Sequence, residues 1–179
     1  NARLQVEHTI TEEIFGLDLV RAQIAIAAGA TLDALGLRQE TLPEPRGMAI
    51  QFRINSESIQ PDGRIRPSTA ALADYRPPSG PGVRVDSHAY PGYAPSSSFD
   101  SLLAKVIVHS SGGWPEVIER GRRALRELRI QGPATNASFL RNLLENPGFV
   151  ARDFHTTFID EELEALCRPR EDELPAAAA

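Results

Sequence analysis

Hydrophobic and polar positions alternate where the chain begins. Ala2, Leu4 and Val6 fall on one side and Asn1, Arg3, Gln5 and Glu7 on the other, which predicts a strand over residues 1–8 with one buried face. The period then lengthens. Thr9 or Thr11 is placed to cap a short helix ending near Gly16, and Asp18 to cap a second through Leu19, Val20, Gln23, Ile24 and Ala27 to Gly29. Residues 30–46, rich in proline and acid, read as a connection.

From Gly47 the period returns to two. Met48–Asn55 reads as a strand, with shorter ones expected around 71–76, 83–88 and 102–109, separated by turns such as Gly80-Pro81-Gly82 and Gly112-Gly113. Two amphipathic helices are predicted next: Pro115–Leu128, burying Val117, Ile118, Ala124, Leu125 and Leu128, and Asn136–Leu144, burying Phe139, Leu140 and Leu143. A last helix is expected over about Ile159–Leu166, and the Pro-, acid- and Ala-rich tail over 167–179 reads as a linker. Sheet first and helices after is an α+β order.

Composition narrows the class without naming a function. At 179 residues, 41% hydrophobic and 24% charged, the chain suits a soluble globular protein of one domain or a domain with an added piece. A net charge of -5 argues against nucleic acid or an anionic membrane surface as partner. Cys167 is the single cysteine, so no internal disulfide forms and a cytoplasmic setting is expected. No apolar run approaches the ~20 residues of a membrane span. With Asn at position 1, the chain is expected to be a piece of something longer.

The opening strand carries the first candidate chemistry. Arginine offers a planar fork for a carbonate-shaped anion, glutamine an amide, and glutamate a carboxylate able to take a proton. A strand with one solvated face yields the same letters, so the residues alone leave both readings open. Arg53, on the strand Met48–Asn55, is open in the same way: an ion pair with Glu57 or Asp86 is the plain alternative to a site role.

The run Asn1-Ala2-Arg3-Leu4-Gln5-Val6-Glu7-His8-Thr9-Ile10-Thr11-Glu12 resembles the N-x-R-x-Q-V-E-H-x-x-T-E signature of biotin carboxylases, which are ATP-grasp enzymes. Similar words recur in Gln51-Phe52-Arg53-Ile54-Asn55, Tyr75-Arg76-Pro77-Pro78, Gly82-Val83-Arg84-Val85-Asp86-Ser87 and Phe99-Asp100-Ser101-Leu102-Leu103-Ala104-Lys105, the last implying an acid and a lysine on the biotin side of the pocket or at the subunit contact, and the likeness runs to about Phe158. The resemblance implies the end of an ATP-grasp domain over 1–46 and a biotin carboxylase C-terminal domain over 47–166, with a curved, mainly antiparallel sheet and flanking helices. It implies carboxylation of biotin with ATP and bicarbonate, and Mg²⁺ or Mn²⁺ as the metal. Glu7 would be the base that deprotonates bicarbonate. Arg3, Gln5 and the backbone N–H of Val6 would hold the anion, Arg53 would face the biotin ureido group, and Asn1 would bind the metal.

The partners implied are a biotin carboxyl carrier protein or domain, a carboxyltransferase, the N-terminal part of the same enzyme, and a second copy of the chain. The family's glycine-rich ATP lid would lie upstream of Asn1, so this chain alone is expected to be inactive. The acceptor is left open among acyl-CoAs, including acetyl- and propionyl-CoA of fatty acid metabolism, pyruvate and urea. A noncatalytic assembly module, or another ATP-grasp ligase of urea or carbamoyl-phosphate type, would fit the same fold. Arg120, Arg122, Arg123, Arg126 and Arg129 are expected to pair with interleaved glutamates, and His8, His88, His109 and His155 to be structural.

Overall fold

Among the described residues every strand pairing is antiparallel, and the largest sheet is only three strands wide. The computed structural model describes residues 3–170. Its elements run α1 (His8–Phe15), α2 (Leu19–Ala27), β1 (Met48–Asn55), β2 (Glu57–Ile59), β3 (Ile65–Pro67), β4 (Asp74–Arg76) and β5 (Val83–Ser87). They continue through β6 (Leu102–Ser110), α3 (Trp114–Glu127), β7 (Arg129–Gln131), α4 (Ala137–Glu145), α5 (Pro147–Val150), α6 (Phe158–Glu161) and α7 (Leu163–Leu166). Strand order in the main sheet is β1-β6-β5; β2 pairs with β3, and β4 with β7.

Alternation along β1 sorts its two faces: Phe52 and Ile54 are buried while Arg53 between them is exposed. The centre strand β6 hides both faces. Ala104, Val106 and Val108 join Phe52 and Ile54 in the core against Val117, Ile118, Ala124 and Leu125 of α3 and Leu144 of α4. Leu103 and Ile107 are buried on the other face, which α1 approaches. Each such side chain contributes about 1.5–3 kcal/mol on burial, so this layer supplies most of the drive to fold.

Gly121 lets α3 come close to the sheet. A Cβ there would stand 2.9 Å from the Phe52 ring and 3.1 Å from Leu144 Cδ1. Arg122 then reaches across α3 and donates from Nε and Nη2 to the Leu144 carbonyl at 3.0 and 2.7 Å, satisfying an orphan acceptor near the end of α4. Trp114, Phe149, Phe154 and Phe158 stack into a second apolar cluster beyond α3.

Several expectations are corrected. The predicted strand over residues 1–8 is a bend and a turn from residue 3 to residue 7, running straight into α1. Among the described residues no strand pairs with it; the carbonyls of Gln5 and Glu7 accept from His8 and Ile10 at 3.2 and 3.1 Å, so turning replaces a ladder. Arg3, Gln5 and Glu7 therefore do not share a strand face. Neither Thr9 nor Thr11 caps α1, whose N-cap position is Glu7. Gly16 does end it, at φ 66, and Asp18 does cap α2 by accepting from the Arg21 N–H at 2.7 Å. The expected helix over 159–166 is two short turns, α6 and α7, meeting at Glu162. The β2–β3 pair and β7 were not anticipated. Asn1, and the tail from residue 171, lie outside the described residues.

No described helix is long and apolar enough to cross a membrane. α2 buries none of its residues among those described, and Val20, Ile24 and Ile26 are exposed along it.

Candidate active site

Register decides which side chains stand together. β1 and β6 place Arg53 opposite Lys105, and β6 and β5 place Lys105 opposite Asp86, so the three form one row across the sheet on the face away from the α3 core. The next row holds Gln51, Ile107 and Arg84. α1 lies on this face: Thr9, fully buried, donates its hydroxyl to Gln51 Oε1, and Arg84 Nη1 meets Glu12 Oε2 at 2.7 Å.

Arg53 is held on one side and open on the other. Its Nη2 contacts Asp100 Oδ2 at 3.1 Å, and Asp100 is fixed in turn by accepting from the Leu102 N–H at 2.9 Å. The alternative partners anticipated for Arg53 are taken: Glu57 accepts from Asn55 Nδ2 at 2.9 Å and from Ser101 Oγ at 2.5 Å, and Asp86 is bound by Arg84 and Lys105. Side-chain exposures of 42% for Arg53 and 65% for Asp100 leave the pair open to an incoming ligand. A permanently charged guanidinium in that position stabilises negative charge developing on an oxygen.

The backbone at Arg53 is braced from outside the sheet. Asn136, buried at the start of α4, donates from Nδ2 to the Arg53 carbonyl at 3.0 Å and accepts from the Asn55 N–H at 2.9 Å. Regular β1–β6 register breaks at this place, between Ile54 and Asn55. Sequence reasoning placed Asn136 only as a helix start and missed its link to Arg53, 83 positions away in the chain.

Glu7 stands at the N-cap position of α1, exposed, with φ -79 and ψ 1, and its side chain does not cap the helix. Glu7 thus stands where an element docked on the Arg53 face begins. Arg3 is exposed at a bend, and Gln5 and Val6 are half-buried. The structure brings the start of α1 and Arg53 to one side of the sheet, through a helix end rather than the strand face expected from the sequence.

His8 also faces this surface. Its Nδ1 is 3.1 Å from Glu12 Oε1 and its Nε2 is 3.4 Å from Lys105 Nζ. Burial pushes the Glu12 carboxyl up, but hydrogen bonds from Arg84, His8 and the Leu19 N–H outweigh it and hold the group below its ordinary range. Asp86 behaves alike: burial raises it, while Arg84 and Lys105 bring it lower still. Of the other histidines, His109 bonds the Arg46 carbonyl at 2.7 Å and His155 lies 3.1 Å from Glu161. On α3, Arg122 pairs with Glu119 and Arg123 with Glu127, as the interleaved charges predicted. Among the described residues no group of His, Cys, Asp or Glu has the makings of a metal site.

Comparison with known proteins gives this surface a family. Residues 51–161, well over half the chain, match the family described as biotin carboxylase C-terminal domain. Residues 1–35 match the carbamoyl-phosphate synthase L chain ATP-binding domain. Human mitochondrial pyruvate carboxylase is 45% identical over 165 residues, covering 92% of this chain and 14% of its own length. Pyruvate carboxylase 1 of Caenorhabditis elegans is 46% identical over the same shares. Among solved structures, a single-chain, multi-domain long-chain acyl-CoA carboxylase superposes with a TM-score of 0.87 at 43% identity, over 93% of this chain and 18% of that one. The biotin carboxylase domain of a thermophilic 2-oxoglutarate carboxylase bound to bicarbonate gives 0.85 at 35% identity, over 93% and 36%. The chain thus spans about a seventh of the length of the curated relatives, 14% for the two named. By this match over most of its sheet and helices, the chain belongs to the biotin carboxylase C-terminal domain family.

Proposed function

We propose that this chain is the bicarbonate- and biotin-facing part of a biotin carboxylase, with 1–46 ending an ATP-grasp domain, 47–166 forming the C-terminal domain and 167–179 a linker. One observation carries the reading: Arg53 and the helix end bearing Glu7 occupy the same polar face of the sheet, opposite the hydrophobic core. Glu7 takes the bicarbonate proton. Arg3, Gln5 and the Val6 N–H orient the anion, offsetting the charge that grows as the proton leaves. Carboxyphosphate formed from ATP and bicarbonate breaks down to carbon dioxide and phosphate; phosphate takes the ureido proton and biotin attacks carbon dioxide. Arg53 stabilises the biotin enolate, with Asp100 setting its direction.

ATP and Mg²⁺ or Mn²⁺ belong to the same reading, supported by a relative's structure described as holding MgADP and bicarbonate. Bound divalent metal neutralises phosphate charge, and the Asn1 amide oxygen suits a hard cation, an assignment resting on the resemblance alone. The exposed apolar side chains Val20, Ile24 and Ile26 of α2 are where we place the remainder of the ATP-binding domain. Multi-domain relatives support a biotin carrier and a carboxyltransferase as partners, and a second copy of the chain is the further partner we expect. Pyruvate and long-chain acyl-CoA carboxylases match almost equally well, as expected if the acceptor binds elsewhere. A cytoplasmic setting is our reading of the single cysteine, and cell fractionation tests it against the mitochondrial residence named for the human relative.

Replacing Glu7 by Gln in the intact carboxylase tests the central assignment. Bicarbonate-dependent ATP cleavage and biotin carboxylation should fall by about 10²-fold or more. Full retention of both removes the base role.

A further inference from the structure

Four charged side chains and the His8 imidazole close into a ring beneath α1. His8 Nδ1 meets Glu12 Oε1 at 3.1 Å, and Glu12 Oε2 meets Arg84 Nη1 at 2.7 Å. Arg84 grips Asp86 through Nε and Nη2 at 2.9 and 3.1 Å, Asp86 Oδ2 meets Lys105 Nζ at 3.2 Å, and Lys105 Nζ returns to His8 Nε2 at 3.4 Å. The ring joins one helix to two strands. Its helical members are four residues apart, hence on one face, so α1 cannot turn about its axis without breaking both attachments.

Lys105 is the member nearest the chemistry. It is Arg53's direct neighbour on β6, and two cations side by side on adjacent strands repel. The structure separates them by giving each its own carboxylate: Asp100 draws Arg53 one way, while Asp86 and His8 draw Lys105 the other. His8 is the residue after Glu7. A shift of Lys105 is therefore transmitted to the first turn of α1 on one side and to Arg53 on the other.

We propose that the His8–Glu12–Arg84–Asp86–Lys105 ring is a positioning device that sets Glu7 against Arg53, with Lys105 as its key positioning residue. The inference rests on the reading of Glu7 as base. Lys105 touches no substrate in this scheme; it acts by holding α1 in register with β6.

The test uses the intact carboxylase and steady-state kinetics of bicarbonate-dependent ATP cleavage with free biotin. Lys105→Met should lower kcat by about tenfold or more, as a misplacement of a fraction of an ångström suffices for that, while the KM for ATP moves by less than about twofold. Lys105→Arg, which keeps the charge and the reach, should restore most of the rate. If Lys105→Met fails to fold, the isosteric Asp86→Asn is held to the same expectation. An unchanged kcat, or a loss matched by a parallel rise in the KM for ATP without rescue by arginine, overturns the proposal. Glu7→Gln measured alongside separates the two ideas. Its inactivity beside an unaffected Lys105→Met sinks the ring alone, and its full activity removes the base that the ring is said to place.

Discussion

Asn136 serves Arg53 as a strand neighbour would. Its carboxamide donates to the Arg53 carbonyl at 3.0 Å and accepts from the Asn55 N–H at 2.9 Å, pairing backbone groups just where the regular β1–β6 register breaks. Asn136→Leu, of similar size but without donor or acceptor, leaves both groups unpaired at a buried position. It should cost roughly 1–3 kcal/mol in urea denaturation. Unchanged stability would show that water fills the role equally well.

Arg53 and Asp100 separate a site role from a structural one. Their ion pair is largely exposed, so Arg53→Ala should change stability by only about 0–1 kcal/mol. In the intact enzyme the same substitution should reduce biotin carboxylation by about 10²-fold, since the charge that meets the enolate is gone. A variant that melts early yet turns over normally would assign Arg53 to the fold.

Acid should loosen the contact between α1 and the sheet. Glu12 and Asp86 both have their folded pKa held below the ordinary 4.5 and 3.8, so each adds stability that is present above those values and lost as pH falls through the folded ones. The melting temperature is expected to drop below about pH 4.5, and Arg84→Met should flatten that dependence by removing a hydrogen bond to each carboxylate. An equally steep acid limb in Arg84→Met would mean that other groups set it.

Gly121 tests the core layer. Valine there would press its methyl groups toward the Phe52 ring and Leu144, which even a Cβ approaches to 2.9 and 3.1 Å. Overpacking of this kind costs about 1–3 kcal/mol and should lower the urea midpoint without changing the m-value.

The elements legible in the sequence were those whose period is imposed by one buried face. β1, β5, β6, α3 and α4 all emerged within a residue or two of their observed limits, and Gly16 and Asp18 marked helix ends by local chemistry alone. β3 escaped notice because Ile65, Arg66 and Pro67 are all exposed and carry no alternation. β7 begins directly after the Leu128 cap of α3, and its partner β4 lies far back in the chain, so its pairing has no local signature. Alternation over residues 1–8 misled because period two is necessary for a strand but does not supply a neighbour. Glu7 and Arg53 are proposed as site residues through the family words, while Arg53's partner was sought at Glu57 or Asp86 and is Asp100. Lys105 was noted but not its ring, which appears only once α1 is docked on β5 and β6.

The middle strand also imposes something like a reading frame. On β6 the residue Lys105 belongs to the row of Arg53 and Asp86 and its neighbours Ala104 and Val106 to the interior, and nothing but the parity of the position separates the two duties. Substitutions there can be absorbed one at a time, each confined to its own side. Adding or deleting a single residue within β6 would exchange the sides, driving an ammonium into the core and a valine onto the face that carries Arg53. In lineages that carry this domain, length variation should therefore gather in the loops around residues 60–64 and 88–99 and be excluded from 102–110.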